Sequence, residues 1–319
     1  MVESLERTYI GDGKRHFEEL KGAWQYPEPY IANKSLVDAV NIALYLRRPL
    51  LLEGDPGCGK TRLAYALAYE LGYPLKECYI RSTTRAQDLL YSYDAVGRLY
   101  DIQERNIVGD EQGLPPRNNY ITLGKLGEAI ELSQRDIPAV VLIDEIDKAD
   151  LDFPNDLLQV LDLLQFEIDE VHDWKFDALK GQSREERRDF LPVIIITSNR
   201  EKELPKAFLR RCLFYYIDFP DQFILTSIIE NHFQKLITPL FEEAIKKFWK
   251  LRYQEVFLWR KEPSTSELLD WIRILEQDEQ ANKITAQLLS TLSLRELPHL
   301  EILVKTQSDF AALSKVRNG

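Results

Sequence analysis

One complete phosphate-loop pattern, G-x-x-x-x-G-K-[ST], occupies residues 54–61 of the chain. A short apolar run, Leu50–Leu52, comes directly before it, and a helical pattern follows it as far as Gly72. Glycines at such a turn allow consecutive backbone N–H groups to point at phosphate oxygens, and the positive end of the following helix dipole strengthens the attraction. The order strand, loop, helix therefore predicts nucleotide binding, whereas the bare pattern alone would also fit an ordinary turn.

Individual residues of this loop have separate expected roles. Lys60 is predicted to reach the β- and γ-phosphates, and the hydroxyl of Thr61 is predicted to bind Mg²⁺. The rest of the predicted nucleotide-binding set is Gly54, Asp55, Pro56, Gly57, Cys58, Gly59 and Arg62. These residues together form the expected cofactor-binding segment.

Two further aliphatic runs end in polar residues that suit phosphate chemistry. The run 140–143 leads into Asp144 and Glu145, as in a buried parallel strand whose carboxyl end opens onto a ligand crevice. Asp144 is expected to hold the Mg²⁺ shell, and Glu145 to orient or deprotonate the attacking water. The run 192–196 leads to Asn199, which is expected beside Asp144 near the γ-phosphate. The alternative, a strand that simply enters an acidic helix, is disfavoured by the intact loop upstream.

Composition limits the classes of partner. A length of 319 residues allows two domains, and a net charge of −11 argues against a general nucleic-acid surface. The three cysteines, Cys58, Cys78 and Cys212, lack metal-ligand spacing and are interpreted as reduced thiols. No segment approaches the roughly 18 apolar residues of a membrane span, and the first residues do not resemble a secretory signal. A cytoplasmic location is therefore expected.

Four segments resemble those of an AAA+ ATPase. They lie at residues 54–61, 142–145, 197–199 and 204–211, in the order and rough spacing of that family. Three further segments look like the MoxR-like branch of that family, and they lie at residues 126–128, 153–171 and 297–305. The resemblance implies an α/β fold, with a P-loop AAA+ core on a doubly wound parallel sheet, a smaller C-terminal helical lid, and ATP and Mg²⁺ as cofactors. The implied domain limits are 1–33 for an N-terminal extension, 34–220 for the nucleotide-binding domain, and 221–319 for the lid with a C-terminal extension.

The resemblance also implies a ring, of six subunits in the usual case, in which one subunit supplies an arginine to the ATP of its neighbour. Arg211 matches that catalytic arginine best, and Arg210 is the second choice. An arginine fork stabilises the charge that develops on the transferred phosphoryl group. A second sensor arginine has no counterpart within residues 263–268, and Arg273, further along, is interpreted as an exposed structural residue.

The function implied by this resemblance is ATP-driven remodelling of a partner protein, with a von Willebrand factor A-domain protein as one candidate partner. A nucleic-acid or restriction-associated P-loop NTPase is the main alternative, and the acidic charge counts against it. A scaffold that binds nucleotide without hydrolysing it is a third reading. The intact residues Lys60, Asp144, Glu145 and Asn199 count against the scaffold.

Local patterns give further expectations about the elements around these motifs. Helices are expected at about 85–91 and over 148–164, and the first arm of a hairpin is expected at 166–171. The stretch 93–120 contains several glycines and prolines and is predicted to be irregular, which usually marks a functional or mobile segment.

Overall fold

The computed structural model describes residues 7–108, 116–253 and 259–315. These residues divide into two compact units. The first unit contains the described residues up to Glu28, then Ala32–Glu53 and Lys60–Tyr216. The second contains Pro29–Ile31, Gly54–Gly59 and the described residues from Ile217 onward. The predicted domain limits at residues 33 and 220 stay predictions.

A five-stranded sheet organises the first unit, and its strand order is β2-β5-β8-β1-β9. The neighbouring pairs β2 with β5, β5 with β8, and β8 with β1 are parallel. The strands of the chain are β1 (Leu50–Gly54), β2 (Leu75–Tyr79), β3 (Tyr91–Tyr93), β4 (Ile121–Leu123), β5 (Val140–Asp144), β6 (Gln165–Glu167), β7 (Lys175–Asp177), β8 (Val193–Ser198) and β9 (Leu213–Ile217). The central strands are aliphatic and fully buried, as expected for strands that are covered on both faces.

Helices pack around this sheet and complete the α/β core. They are α1 (Lys34–Leu46), α2 (Lys60–Leu71), α3 (Ala95–Val108), α4 (Lys125–Gln134), α5 (Phe153–Leu163), α6 (Arg184–Arg187) and α7 (Lys206–Leu209). Leu51, Val141, Ile143 and Ile196 are completely buried among their neighbours in the core of this unit. The predicted fold class, an α/β core with a parallel sheet, is confirmed.

Two short antiparallel hairpins extend from the core. Strands β6 and β7 pair with each other, with Phe166 opposite Phe176, so the predicted hairpin is confirmed, but its first arm ends at Glu167 and not at residue 171. Strands β3 and β4 also pair, and α3 lies between them in the chain. The expectation of an irregular stretch over 93–120 is therefore wrong for most of its length, and residues 109–115 lie outside the described residues.

The helix α3 lacks a recognisable helical pattern in the sequence because its first turn carries Gly97 and because Val96, Leu99 and Tyr100 are exposed. Asp94 accepts a hydrogen bond from the backbone N–H of Gly97 through Oδ1, at 2.8 Å, which satisfies a free donor of the first turn. The helix expected at 85–91 is also wrong, because it is a short 3₁₀ helix, Ala86–Leu89, that runs into β3.

The predicted continuous helix over 148–164 is interrupted. A 3₁₀ turn, Ile146–Lys148, ends before Ala149, and α5 begins only at Phe153. Pro154 lies in the first turn of α5, where its missing N–H is tolerated, whereas further inside a helix its ring would clash with the preceding turn. The break separates the acidic segment after β5 from the helix that follows it.

The second unit is helical from its first described helix onward. Its helices are α8 (Gln222–Phe233), α9 (Pro239–Arg252), α10 (Thr265–Gln280), α11 (Ala286–Thr291), α12 (Leu300–Leu303) and α13 (Gln307–Lys315). Trp271 of α10 and Phe248 of α9 are fully buried in its core. The helical C-terminal region that the resemblance implies is therefore confirmed.

The N-terminal segment of the first unit is extended and is fixed to the core by Glu70. This buried carboxylate accepts backbone hydrogen bonds from Ile10, Gly11 and Gly13 at 2.8–3.2 Å. Burial raises the pKa of Glu70, and the three N–H donors oppose that shift. Over the described ranges, no helix combines the length and the apolar character needed to cross a membrane. The three cysteines are free.

Candidate functional site

The glycines of the phosphate loop adopt conformations that other residues resist. Gly57 has φ +78° and Gly59 has φ +96°, both in the left-handed region. A Cβ at Gly57 would lie 2.5 Å from the Cβ of Ser264, and a Cβ at Gly59 would lie 3.0 Å from the ring of Tyr30. Each glycine is thus needed both for its backbone angle and for the close approach of a neighbour.

We expect Gly57→Ala to weaken nucleotide binding by about tenfold or more, because it combines backbone strain with a steric clash. Titration with a fluorescent mant-ADP measures the effect. Gly22→Ala is a matched control, since Gly22 has φ +79° but nothing within 4 Å of its Cβ position. Equal losses of affinity in the two variants would contradict a specific role for the loop conformation.

Thr61 and Asp144, the two predicted Mg²⁺ ligands, lie together in the structure. The hydroxyl of Thr61, in the first turn of α2, donates to Oδ1 of Asp144 at the end of β5, at 2.8 Å. The hydroxyl of Thr197 donates to the same oxygen, at 2.7 Å. A carboxylate beside a hydroxyl is an oxygen donor set of the kind that Mg²⁺ prefers, so the residues present fit this ion.

Thr197 is a site residue that the sequence reasoning passed over as part of a strand. Besides its bond to Asp144, its hydroxyl oxygen accepts the backbone N–H of Glu145 at 2.8 Å. Thr197 is completely buried, and it lies on β8, the strand that pairs with β5. The available sequence signal was a single hydroxyl residue at the end of an aliphatic run. In the structure this hydroxyl contacts both Asp144 and Glu145 and so orients the two acidic residues.

Glu145 and Asn199, both predicted as catalytic, also meet. The side-chain amide of Asn199 donates to Oε1 of Glu145 at 3.0 Å, and Lys148 forms an ion pair with the other carboxylate oxygen. The Glu145 carboxylate raises the pKa of Lys148 through that contact. Glu145 has φ +59°, a strained backbone angle of a kind that clusters at functional sites.

Asp147 is a second site residue to which the sequence pattern assigned no role. It is buried, and its Oδ2 accepts the backbone N–H groups of Asn199 at 3.0 Å and Glu201 at 2.8 Å. Among the described residues, its Oδ1 has no hydrogen-bond partner. Asp147 therefore fixes the loop that carries Asn199.

Glu53 and Arg200 add opposite charges at the same edge of the sheet. Burial raises the pKa of Glu53, the Arg200 guanidinium opposes this shift, and Asp147 adds to it. Arg200 also donates to the hydroxyl of Tyr216 at 3.2 Å and lies 5.0 Å from the centre of its ring. Arg200 thus provides positive charge beside these carboxylates, a role that no sequence motif indicated.

The two candidate arginines differ in their surroundings. Nε of Arg211 donates to Oδ2 of Asp162 at 2.5 Å, and another of its nitrogens donates to the carbonyl of Ala207 at 3.1 Å. The Arg211 side chain keeps 40% of its surface exposed, and Arg210 is exposed as well. Within the described parts of the chain, no contact joins either arginine to Asp144, Glu145 or Asn199.

Comparison with known proteins identifies the class. The family described as AAA domain (dynein-related subfamily) matches residues 49–212, just over half of the chain. The chain belongs to this family and is an AAA+ ATPase. The AAA+ prediction is thereby confirmed.

Individual relatives match shorter parts of the chain. Chaperone protein ClpB from Enterococcus faecalis (strain ATCC 700802 / V583) is 34% identical over 145 residues, which are 41% of this chain and 14% of that protein. Midasin from Giardia intestinalis is 48% identical over 50 residues, which are 16% of this chain and 1% of that protein. The chain therefore spans only a small fraction of either curated relative. A mutant RuvB from Thermotoga maritima is similar in structure, with a TM-score of 0.47 at 16% identity over 82% of this chain and 69% of that chain.

Proposed function

We propose that this chain is a MoxR-like AAA+ protein that hydrolyses ATP with Mg²⁺ and uses the energy to remodel a partner protein. The observation that carries the proposal is the pairing at the ends of β5 and β8. There, Thr61 contacts Asp144, and Asn199 contacts Glu145. Binding of a metal–phosphate group needs the first pair, and activation of a water needs the second.

Each residue of this arrangement has a stated task in the proposed reaction. The loop N–H groups and Lys60 bind the phosphates, and the oxygens of Thr61 and Asp144 hold Mg²⁺. When bound, Mg²⁺ neutralises charge on the β- and γ-phosphate oxygens. Glu145 accepts the proton of the attacking water, and Asn199 holds its carboxylate in place. The buried Thr197 hydroxyl, which bonds to both Asp144 and Glu145, fixes the positions of these two residues relative to each other.

An exposed apolar face on α3 supports action on a protein. Val96, Leu99 and Tyr100 are each more than half exposed, and their spacing places them on one side of the helix. Exposed apolar side chains grouped in this way are typical of protein interaction sites. We therefore propose that α3 contacts the partner, for which the MoxR-like resemblance suggests a von Willebrand factor A-domain protein.

The alternative function, a nucleic-acid or restriction-associated NTPase, predicts a different response. A net charge of −11 opposes binding to a polyanion. Under the proposed function, ATP turnover should rise when an unfolded protein is added to the assay. It should stay constant when duplex DNA is added, because the acidic chain repels the polyanion. Stimulation of ATP turnover by DNA alone would favour the alternative.

The proposed MoxR-like function includes a cytoplasmic location.

Assembly into a ring, with six subunits as the expected number, completes the proposal. In such a ring Arg211, with Arg210 as the second choice, would stabilise the γ-phosphate of the neighbouring subunit. Its contacts with Asp162 and Ala207 hold the guanidinium at the surface, where it is partly exposed. Specific ATPase activity should then rise with protein concentration as the particle mass rises. Constant specific activity from a monomer would contradict the ring.

We expect Arg211→Ala to reduce turnover by about 10³-fold or more while nucleotide affinity stays near that of the wild type. The decisive measurement mixes this variant with Lys60→Ala, because each protein lacks what the other supplies. A shared site predicts that the mixture regains turnover, since a Lys60→Ala subunit can offer Arg211 to the nucleotide on its neighbour. Arg210→Ala serves as the matched control. A mixture as inactive as its components would rule out the assignment of Arg211.

A further inference from the structure

The second unit holds a buried arginine against the phosphate loop. Arg252 is the last residue of α9, and only 4% of its side chain is exposed. One guanidinium nitrogen lies 3.7 Å from Oδ2 of Asp55 and 2.5 Å from Oε2 of Glu262. Another donates to the carbonyl oxygen of Pro263 at 2.5 Å, and the guanidinium carbon lies 3.7 Å from the centre of the Phe219 ring.

The segment next to these contacts touches the loop at a second place. Ser264, which follows Pro263, packs so closely on Gly57 that a Cβ there would lie 2.5 Å from the serine Cβ. The position of Ser264 is in turn fixed by Glu267, whose carboxylate accepts the Ser264 backbone N–H at 2.6 Å in the capping box of α10. Arg252 is therefore held by several contacts beside a loop that Ser264 also approaches closely.

The charge of Asp55 creates a problem for phosphate binding. Its carboxylate belongs to the loop that binds a polyanion, and like charges at short range oppose binding. Arg252 brings a positive charge to that carboxylate from a buried position, where water screens the attraction less than at the surface.

We propose that Arg252 is a positioning residue that offsets the charge of Asp55 and thereby sets the affinity of the phosphate loop for nucleotide. This inference rests on the proposed nucleotide binding. It places this role on α9, outside the segment 263–268, which has no counterpart of a second sensor arginine. Arg273 instead contacts Asp270 and His232 on an exposed surface.

The test is a rescue experiment on nucleotide binding, read by mant-ADP titration so that hydrolysis plays no part. Arg252→Met should weaken mant-ADP binding by about tenfold or more, because the positive charge that Arg252 brings to Asp55 is then lost beside the phosphates. Asp55→Asn should tighten binding severalfold, and the double variant Asp55→Asn, Arg252→Met should regain most of the lost affinity. Glu262→Gln in the Arg252→Met background is the matched control, since Glu262 pairs with Arg252 but lies outside the loop.

A purely structural role for Arg252 predicts another pattern. Rescue by Glu262→Gln as complete as that by Asp55→Asn, or no rescue by either, overturns the proposal. Thermal unfolding without nucleotide shows whether Arg252→Met folds. If it does not fold, Arg252→Lys takes its place: this variant keeps the positive charge and should retain the mant-ADP affinity of the wild type within a fewfold. Independently of both variants, an unchanged mant-ADP affinity in Asp55→Asn alone overturns the proposal. Absence of mant-ADP binding by the wild type contradicts the proposed function itself.

Discussion

Glu145→Gln is expected to lower ATP turnover by about 10²–10⁴-fold while ATP binding and ATP-dependent assembly persist. Glutamine has nearly the shape of glutamate, and its amide oxygen can still accept the hydrogen bond that Asn199 donates at 3.0 Å. It cannot accept a proton from water at neutral pH. The variant therefore removes the proposed chemistry and leaves the architecture of the site.

Two measurements separate these effects. ATP turnover is compared with the wild type at saturating nucleotide, and the particle mass is measured with and without Mg-ATP. Glu167→Gln is a matched control, because Glu167 also pairs with a lysine, Lys175 at 3.3 Å, but lies on the β6–β7 hairpin. Equal turnover by wild type and Glu145→Gln would refute the assigned role of Glu145.

The parts of the site that could be predicted from the sequence follow from chain order within a parallel sheet. The carboxyl ends of parallel strands meet at the same edge, so side chains that follow β5 and β8 must be neighbours. Asp144 and Asn199 were placed by this rule, and Thr61 by its position after the glycine loop. The structure brings these residues together through contacts between elements that lie more than fifty residues apart in the chain.

The parts that could not be predicted depend on packing that leaves no local pattern. Asp147 matters because it accepts the N–H groups of a loop 52 and 54 residues further along the chain. Arg252 matters because its helix ends at the phosphate loop, which nothing in the local sequence of α9 indicates. The helix α3 was missed for the opposite reason. Val96, Leu99 and Tyr100 on this helix are exposed, and its glycine and polar residues resemble those of a loop.

Lys60→Ala is expected to weaken nucleotide binding by about a hundredfold or more, because a charge-assisted contact to two phosphates is lost at a buried position. Lys60 is only 6% exposed, although it carries a charge, so the fold places its ammonium group where water screens it little. Nucleotide at a hundred times its dissociation constant should stabilise the wild type by about 2.7 kcal/mol and the variant hardly at all.

Thermal unfolding with and without Mg-ADP, together with mant-ADP titration, tests this expectation for Lys60. Lys34→Ala is the matched control, since Lys34 is the first residue of α1 just as Lys60 is the first residue of α2, yet it is exposed. Removal of a buried side chain also lowers the stability of the free protein, so the comparison is made on the shift caused by nucleotide. A full nucleotide-induced shift in Lys60→Ala would show that the loop binds phosphate without its lysine, and the proposed site would then need a different source of positive charge.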